Sequence, residues 1–262
     1  MEVVIVDSVE DSGRLVGAAI ASLLAAKPDA VLGLATGSSP LPVYADLGRR
    51  CAAGELSFAS AGAFLLDEYV GLPAGHPQSY RSFIAAELEA RVDFGPGAVQ
   101  GPEAGTEGPE VVAACARYEQ AIAAAGGIDI QLLGIGSDGH IGFNEPGSSL
   151  GSRTRLKTLT SETRADNARF FPSPDDVPRH VVTQGIGTIL EARHLVLLAF
   201  GAPKASAVAA AVEGPVTAMV PASALQLHRH VTVLLDEPAA DGLQLDDYYR
   251  ETYAAKPAWQ GL

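Results

Sequence analysis

Short apolar runs alternate with amphipathic, alanine-rich stretches from one end of the chain to the other. Residues 2–6, 30–35, 61–66, 128–133, 194–200 and 230–235 are runs of strand length, rich in Val, Ile and Leu, and most are bounded by turn residues. Their near-continuous apolar character, rather than strict alternation, marks strands buried on both faces. The intervening stretches have helical spacing. Ser8 is placed to cap a helix that runs to about Ala26. Ser39 and Pro40 open a second, with proline at its first position, and Gly54 closes it. Further helices are expected over residues 78–90, 109–125 and 203–212, and a short extra strand over 155–159. This alternation predicts an α/β fold: an open, mostly parallel, Rossmann-like sheet with helices on both faces. One domain is expected over residues 1–262, with no linker and no internal repeat. Two segments interrupt the pattern. Residues 95–108 are rich in Gly and Pro, and residues 159–181 mix Arg164, Asp166 and Arg169 with Phe170 and Phe171. The second composition suits a lid over a charged ligand, although composition alone favours an ordinary surface excursion.

Charge narrows the partners. The net charge is −13 and no run of Lys or Arg occurs, which argues against nucleic acid and against an anionic membrane surface. An acidic chain that binds phosphate must do so locally, with backbone N–H groups and a few cations. Cys51 and Cys115 are the only cysteines, too few for a disulfide framework and in keeping with a cytoplasmic location. The N-terminus lacks the basic region and long apolar core of a signal peptide. No apolar run reaches the roughly 18 residues of a membrane span.

The chemistry concentrates after the run at 128–133. There the chain reads Gly134-Ile-Gly-Ser-Asp-Gly-His-Ile-Gly-Phe-Asn-Glu-Pro146, which brings Asp138, His140 and Glu145 into eight residues. Two carboxylates and an imidazole on a loop held by a sheet are suited to proton transfer. Gly134, Gly136 and Gly139 formally match G-x-G-x-x-G, but that motif needs a helix opening at its third glycine. Gly142 and Pro146 oppose one here, so a dinucleotide cofactor is not expected. His140 and Glu145 fit no metal-ligand spacing, and no metal is expected. A purely structural loop remains the plain alternative.

Ligands of parallel sheets bind at the carboxyl ends of strands. After residues 30–35 comes Thr36-Gly-Ser-Ser-Pro40, so Thr36, Gly37, Ser38 and Ser39 form a candidate anion cradle at a helix start. It is equally readable as a simple capping turn. Lys204, after the run at 194–200, is a candidate phosphate cation or a solvated lysine. Asp67 and Glu68 follow residues 61–66, where neighbours on a strand face opposite sides. Asp67 is the candidate base. Glu68 is read with equal weight as a structural contact. Cradle, base and imidazole together describe an enzyme acting on a sugar phosphate.

These residues resemble a known family, the glucosamine-6-phosphate deaminases. The resemblance is carried by Leu34-Ala-Thr-Gly-Ser-Ser-Pro40, Leu66-Asp-Glu-Tyr-Val-Gly-Leu-Pro73, His76-Pro-Gln-Ser-Tyr80, residues 134–146, Ser152-Arg-Thr-Arg-Leu-Lys-Thr-Leu159 and Leu225-Gln-Leu-His228. It implies conversion of glucosamine 6-phosphate to fructose 6-phosphate and ammonium without a cofactor. It implies that His140 opens the pyranose ring, that Asp67 moves a proton between C2 and C1, and that Asp138 and Glu145 orient His140. Ser38, Ser39, Arg169 and Lys204 match positions that hold phosphate, and a mobile lid is implied at 159–181. Some members are homo-oligomers activated by N-acetylglucosamine 6-phosphate. Ser148, Arg155 and Lys157 match that allosteric site and Tyr248 aligns with its tyrosine, although the tail after Asp236 departs from the family pattern. Two rival readings are a 6-phosphogluconolactonase or related amino-sugar-phosphate isomerase, and a non-enzymatic sugar-phosphate sensor. The pairing of Asp67-Glu-Tyr with Phe143-Asn-Glu-Pro146 favours the deaminase over the lactonase. The absence of a basic DNA-binding segment disfavours the sensor.

Overall fold

The apolar runs assemble into one parallel sheet. The computed structural model describes residues 1–103, 108–168, 171 and 173–262. Its strands are β1 (Glu2–Val6), β2 (Val31–Leu34), β3 (Gly62–Leu65), β4 (Asp67–Tyr69), β5 (Val99–Gln100), β6 (Ile130–Gly134), β7 (Arg155–Thr158), β8 (His180–Thr183), β9 (His194–Ala199) and β10 (Val231–Asp236). The helices are α1 (Val9–Ala26), α2 (Leu41–Ala52), α3 (Tyr80–Glu87), α4 (Glu110–Ala124), α5 (Ser161–Asn167), α6 (Ile186–Ile189), α7 (Ala205–Val212), α8 (Glu237–Ala240) and α9 (Asp246–Ala254). Seven strands pair in parallel in the order β1-β10-β9-β6-β2-β3-β5. Every residue of β2 and β9 is buried, so both faces of the sheet are covered, as the unbroken apolar runs require. The core centres on Leu32, Leu34, Phe64, Leu132 and Leu133, with Ile20 of α1 against them.

Local signals set the helix starts. The Ser8 hydroxyl accepts from the Asp11 N–H and caps α1. For α2, Pro40 lies at the cap position itself and Pro42 in the first turn, one place along from the expected start. The stretch at 203–212 divides into a 3₁₀ turn, Ala202–Lys204, and α7. No helix among the described residues is long and apolar enough to cross a membrane.

A second, antiparallel sheet, β4-β8-β7, was not anticipated. The apolar run at 61–66 does not continue into Asp67 and Glu68 as one strand. Leu66 is a corner: its N–H donates to Leu34 O in the main sheet and its carbonyl accepts from Gln184 N. Asp67 therefore opens β4 in the small sheet instead of ending β3. The 159–181 segment contains α5, a 3₁₀ turn at Pro174–Asp176 and the first residues of β8. Arg169 and Phe170 lie outside the described residues. The 95–108 segment supplies the short edge strand β5.

Candidate active site

Strand order determines which loops meet. From β2 the chain proceeds outward through β3 to β5, then returns to β6 on the other side of β2 and proceeds through β9 to β10. The direction reverses between β2 and β6, and ligands of open parallel sheets bind at such a reversal. The loop after β2 holds Thr36–Ser39, the loop after β6 holds Asp138, His140 and Glu145, and the loop after the adjacent β9 holds Lys204. Three of the anticipated loops thus leave neighbouring strands at one sheet edge.

The first loop is shaped for an anion. Gly37 has φ +89°, a left-handed conformation favoured by glycine, and it turns the chain into α2. No side chain caps α2. Gly37 and Ser38 are exposed, and Thr36 and Ser39 are half-buried. An uncapped helix start with exposed hydroxyls is a ready phosphate seat. The fully buried Tyr44 pins the loop, donating its O–H to Ala35 O at 2.6 Å. Lys204 ends the 3₁₀ turn after Gly201, whose N–H donates to both oxygens of Asp236 at 2.9 and 3.0 Å.

Asp67 is 5% exposed. Burial, and then the neighbouring charge of Glu68, hold its carboxyl well above the usual range. A Cβ built on Gly142 would lie 2.9 Å from Thr183 Oγ1 and 3.5 Å from Asp67 Oδ2, so the base and the acid–base loop meet with no room for a side chain between them. The corner that presents Asp67 is tightly held. Leu65 O accepts from Tyr118 Oη at 2.6 Å and from Gln184 Nε2 at 3.0 Å. Thr183 faces Asp67 in the β4–β8 register, and its Oγ1 accepts from Phe143 N at 3.1 Å. Asn144 is fully buried and donates to Ile141 O and Gln184 O, both at 2.9 Å. Tyr69, Tyr80, Phe143 and Phe171 pack into an aromatic cluster, and burial pushes the Tyr69 hydroxyl up to about 12.

His140 and Asp138 come together. His140 Nδ1 lies 2.7 Å from Asp138 Oδ1, at an angle off an ideal hydrogen bond. The His140 N–H donates to the same oxygen at 3.1 Å. This imidazole contact lowers the Asp138 carboxyl to about 2. Gly136 makes the pair possible: a Cβ there would lie 2.3 Å from the His140 ring and 2.6 Å from Asp138 Oδ1. Glu145, on the same loop as His140, has its carboxylate accepting from Thr163 Oγ1 on α5. The two readings of Glu68 resolve toward structure. It accepts from the N–H groups of Tyr69, Tyr80 and Arg81 at 2.8, 3.0 and 2.8 Å and so anchors the start of α3. Asn144 lies within the stretch 134–146, but Thr183, Gln184 and Thr163 carry no catalytic motif. Among them only Thr160-x-x-Thr163, a helix-capping spacing, could have been noticed beforehand.

The residues matched to an allosteric site lie on three parts of the chain. Arg155 and Lys157 alternate onto one half-buried face of β7. Ser148 is buried and its hydroxyl has no hydrogen-bond partner among the described residues. Tyr248 is 58% exposed on α9, which packs against β1 at the far edge of the main sheet. No group of three or more His, Cys, Asp or Glu able to hold a metal occurs among the described residues.

Comparison with known proteins adds sequence and fold relatives. Residues 7–234 match the family model for glucosamine-6-phosphate isomerases/6-phosphogluconolactonase. The chain is 62% identical, over 100% of both sequences, to a glucosamine-6-phosphate deaminase of Mycolicibacterium smegmatis. A solved structure of a monomeric glucosamine-6-phosphate deaminase is 43% identical and superposes with a TM-score of 0.89, covering 92% of this chain and 100% of that one. A 6-phosphogluconolactonase from Leishmania guyanensis has the same fold at 26% identity and TM-score 0.71, over 92% and 98% of the two chains.

Proposed function

The chain belongs to the family of glucosamine-6-phosphate isomerases and 6-phosphogluconolactonases, and we propose that it converts glucosamine 6-phosphate and water to fructose 6-phosphate and ammonium. The observation that carries this reading is the buried Asp67 carboxyl, held above its usual range beside the loop that presents the His140–Asp138 pair. Proton abstraction next to a carbonyl needs a base of raised affinity for protons. Ring opening needs a group that accepts and donates near neutral pH. The full-length relatives of this activity support the same reading.

In this scheme the substrate phosphate sits on Thr36, Gly37, Ser38, Ser39 and the start of α2, with Lys204 and Arg169 as counter-charges. His140 takes the O1 proton and delivers one to O5, which opens the ring to the aldehyde. Asp138, ionised throughout, orients the imidazole. Asp67 removes the C2 proton while the substrate's ammonium group passes one to O1, giving a neutral C1–C2 enolamine. Return of the proton from Asp67 to C1 leaves an iminium at C2. Water adds there, the C2–N bond breaks, and ketone and ammonium leave. The steps balance with water as the only co-reactant.

Arg155 and Lys157 on one face of β7 support a second anion site, read as the seat of an activating N-acetylglucosamine 6-phosphate in a homo-oligomer. The placement of Tyr248 on the far edge lends that reading no support within one chain. The free thiols Cys51 and Cys115 support a cytoplasmic setting.

The test is release of ammonium from glucosamine 6-phosphate, with fructose 6-phosphate measured in parallel. The account expects the two in equal amounts, and a steeper response at low substrate if N-acetylglucosamine 6-phosphate activates. Hydrolysis of 6-phosphogluconolactone with no ammonium release would overturn it in favour of a lactonase.

A further inference from the structure

Glu145 belongs to the acid–base loop, yet its hydrogen bond runs to α5, outside that loop. Its Oε1 accepts from Thr163 Oγ1 at 2.5 Å. A carboxylate only accepts, so the Thr163 proton is committed to Glu145. The Thr160 hydroxyl, 3.0 Å from Thr163 Oγ1, must then be the donor to Thr163. Thr160 is also the cap of α5, and its Oγ1 accepts from Thr163 N at 3.1 Å. Thr160, Thr163 and Glu145 therefore form a directed relay from the first turn of α5 into the loop of His140. Downstream of α5, Phe171 packs edge-on against Tyr69 and stacks with His76. These aromatic contacts are apolar and adaptable, whereas the relay ends on a charge and has a fixed direction.

We infer that Thr163 is a positioning residue whose hydroxyl holds the Glu145 carboxylate and thereby fastens α5 to the loop that carries His140. The inference rests on the reading of that loop as the active site. On this account α5 is tied to the acid–base loop through the Thr163–Glu145 hydrogen bond. Loosening it leaves the acid–base pair intact but frees α5 from the loop, which weakens substrate binding more than it slows chemistry.

Two readouts test the relay. The first is amide hydrogen exchange over residues 161–167 in the full chain, for wild type, Thr163→Val, Thr163→Ser, Glu145→Ala and the Thr163→Val/Glu145→Ala double variant. A hydrogen bond to a charged group shifts an equilibrium by roughly ten- to hundred-fold. Exchange is expected to speed up about tenfold in Thr163→Val and in Glu145→Ala, by no more in the double variant, and to stay near wild type in Thr163→Ser. Multiplying effects in the double variant would show that the two residues act independently and would overturn the proposal. So would a Thr163→Val variant that exchanges like wild type. The second readout is kinetic: Thr163→Val should raise KM several-fold with kcat within about twofold, and Thr163→Ser should restore KM. A fall in kcat alone, or no rescue by serine, would overturn it. If the wild type releases no ammonium, the functional reading fails, and the exchange cycle still decides the relay.

Discussion

Asp67 is 5% exposed and is followed directly by Glu68, and both facts favour its neutral form, burial first and like charge second. The consequence for stability has a definite sign. In the unfolded chain an aspartate titrates near about 3.9. In the folded chain Asp67 titrates well above that. Its contribution to stability is complete below about pH 4 and is lost as pH rises through the folded value. Asp67→Asn cannot ionise, so it should be more heat-stable than wild type at pH 7, by about 2–4 °C for each kcal/mol recovered. The advantage should shrink toward pH 4. Scanning calorimetry at the two pH values checks this, and an asparagine variant that melts below wild type at pH 7 would contradict it. Asp138 is the opposite case, lowered to about 2 by His140 and therefore ionised through the working range. Sequence shows that these acids exist and how they are spaced. It does not show what each one faces. Glu68 and Glu145 looked alike as acids, yet one anchors α3 through backbone N–H groups and the other bonds Thr163.

At the scale of elements, the acid–base loop is held by a strap that no motif announced. Residues 217–223 close on themselves through the buried Ser223, whose hydroxyl accepts from Thr217 N at 2.9 Å and donates to Thr217 O at 3.0 Å. The closed strap holds the loop at its middle and just past its end. Ala222 N donates to Gly139 O at 2.9 Å, and Gly147 N donates to Ala218 O at 2.8 Å. Ser223→Ala leaves two backbone groups of Thr217 without this partner, which should cost about 1–3 kcal/mol of stability. Because the strap's hydrogen bonds run to the acid–base loop, kcat should fall several-fold while KM changes little. Urea unfolding with steady-state kinetics measures both, and a destabilised variant with wild-type kcat would show that the strap does not position the loop. The long apolar strands and the capped α1 were legible because burial on both faces and a side-chain cap leave marks in composition. The β4-β8-β7 sheet was not. β4 has three residues, β8 begins inside a segment of mixed composition, and the corner at Leu66 is made by backbone hydrogen bonds that any side chain permits.

For the whole molecule, strand order turns separate loops into one site. The reversal between β2 and β6 places the loop of Thr36–Ser39 next to the loop of Asp138 and His140, and β9 brings Lys204 to the same edge. Sequence pattern could assign each loop to a strand end but could not order the strands, since all six main runs look equally buried. For a chain of net charge −13, an exposed helix start and a lysine at this edge are the kind of local groups that phosphate binding would need. The central claim is that one buried carboxylate moves the C2 proton of a phosphorylated amino sugar. Its most direct test is ammonium release from glucosamine 6-phosphate by wild type and by Asp67→Asn side by side. Removal of a general base typically costs roughly 10²–10⁴-fold. The account predicts an active wild type and a variant slowed by about that factor, with KM little changed. A variant that turns over at close to the wild-type rate would contradict it.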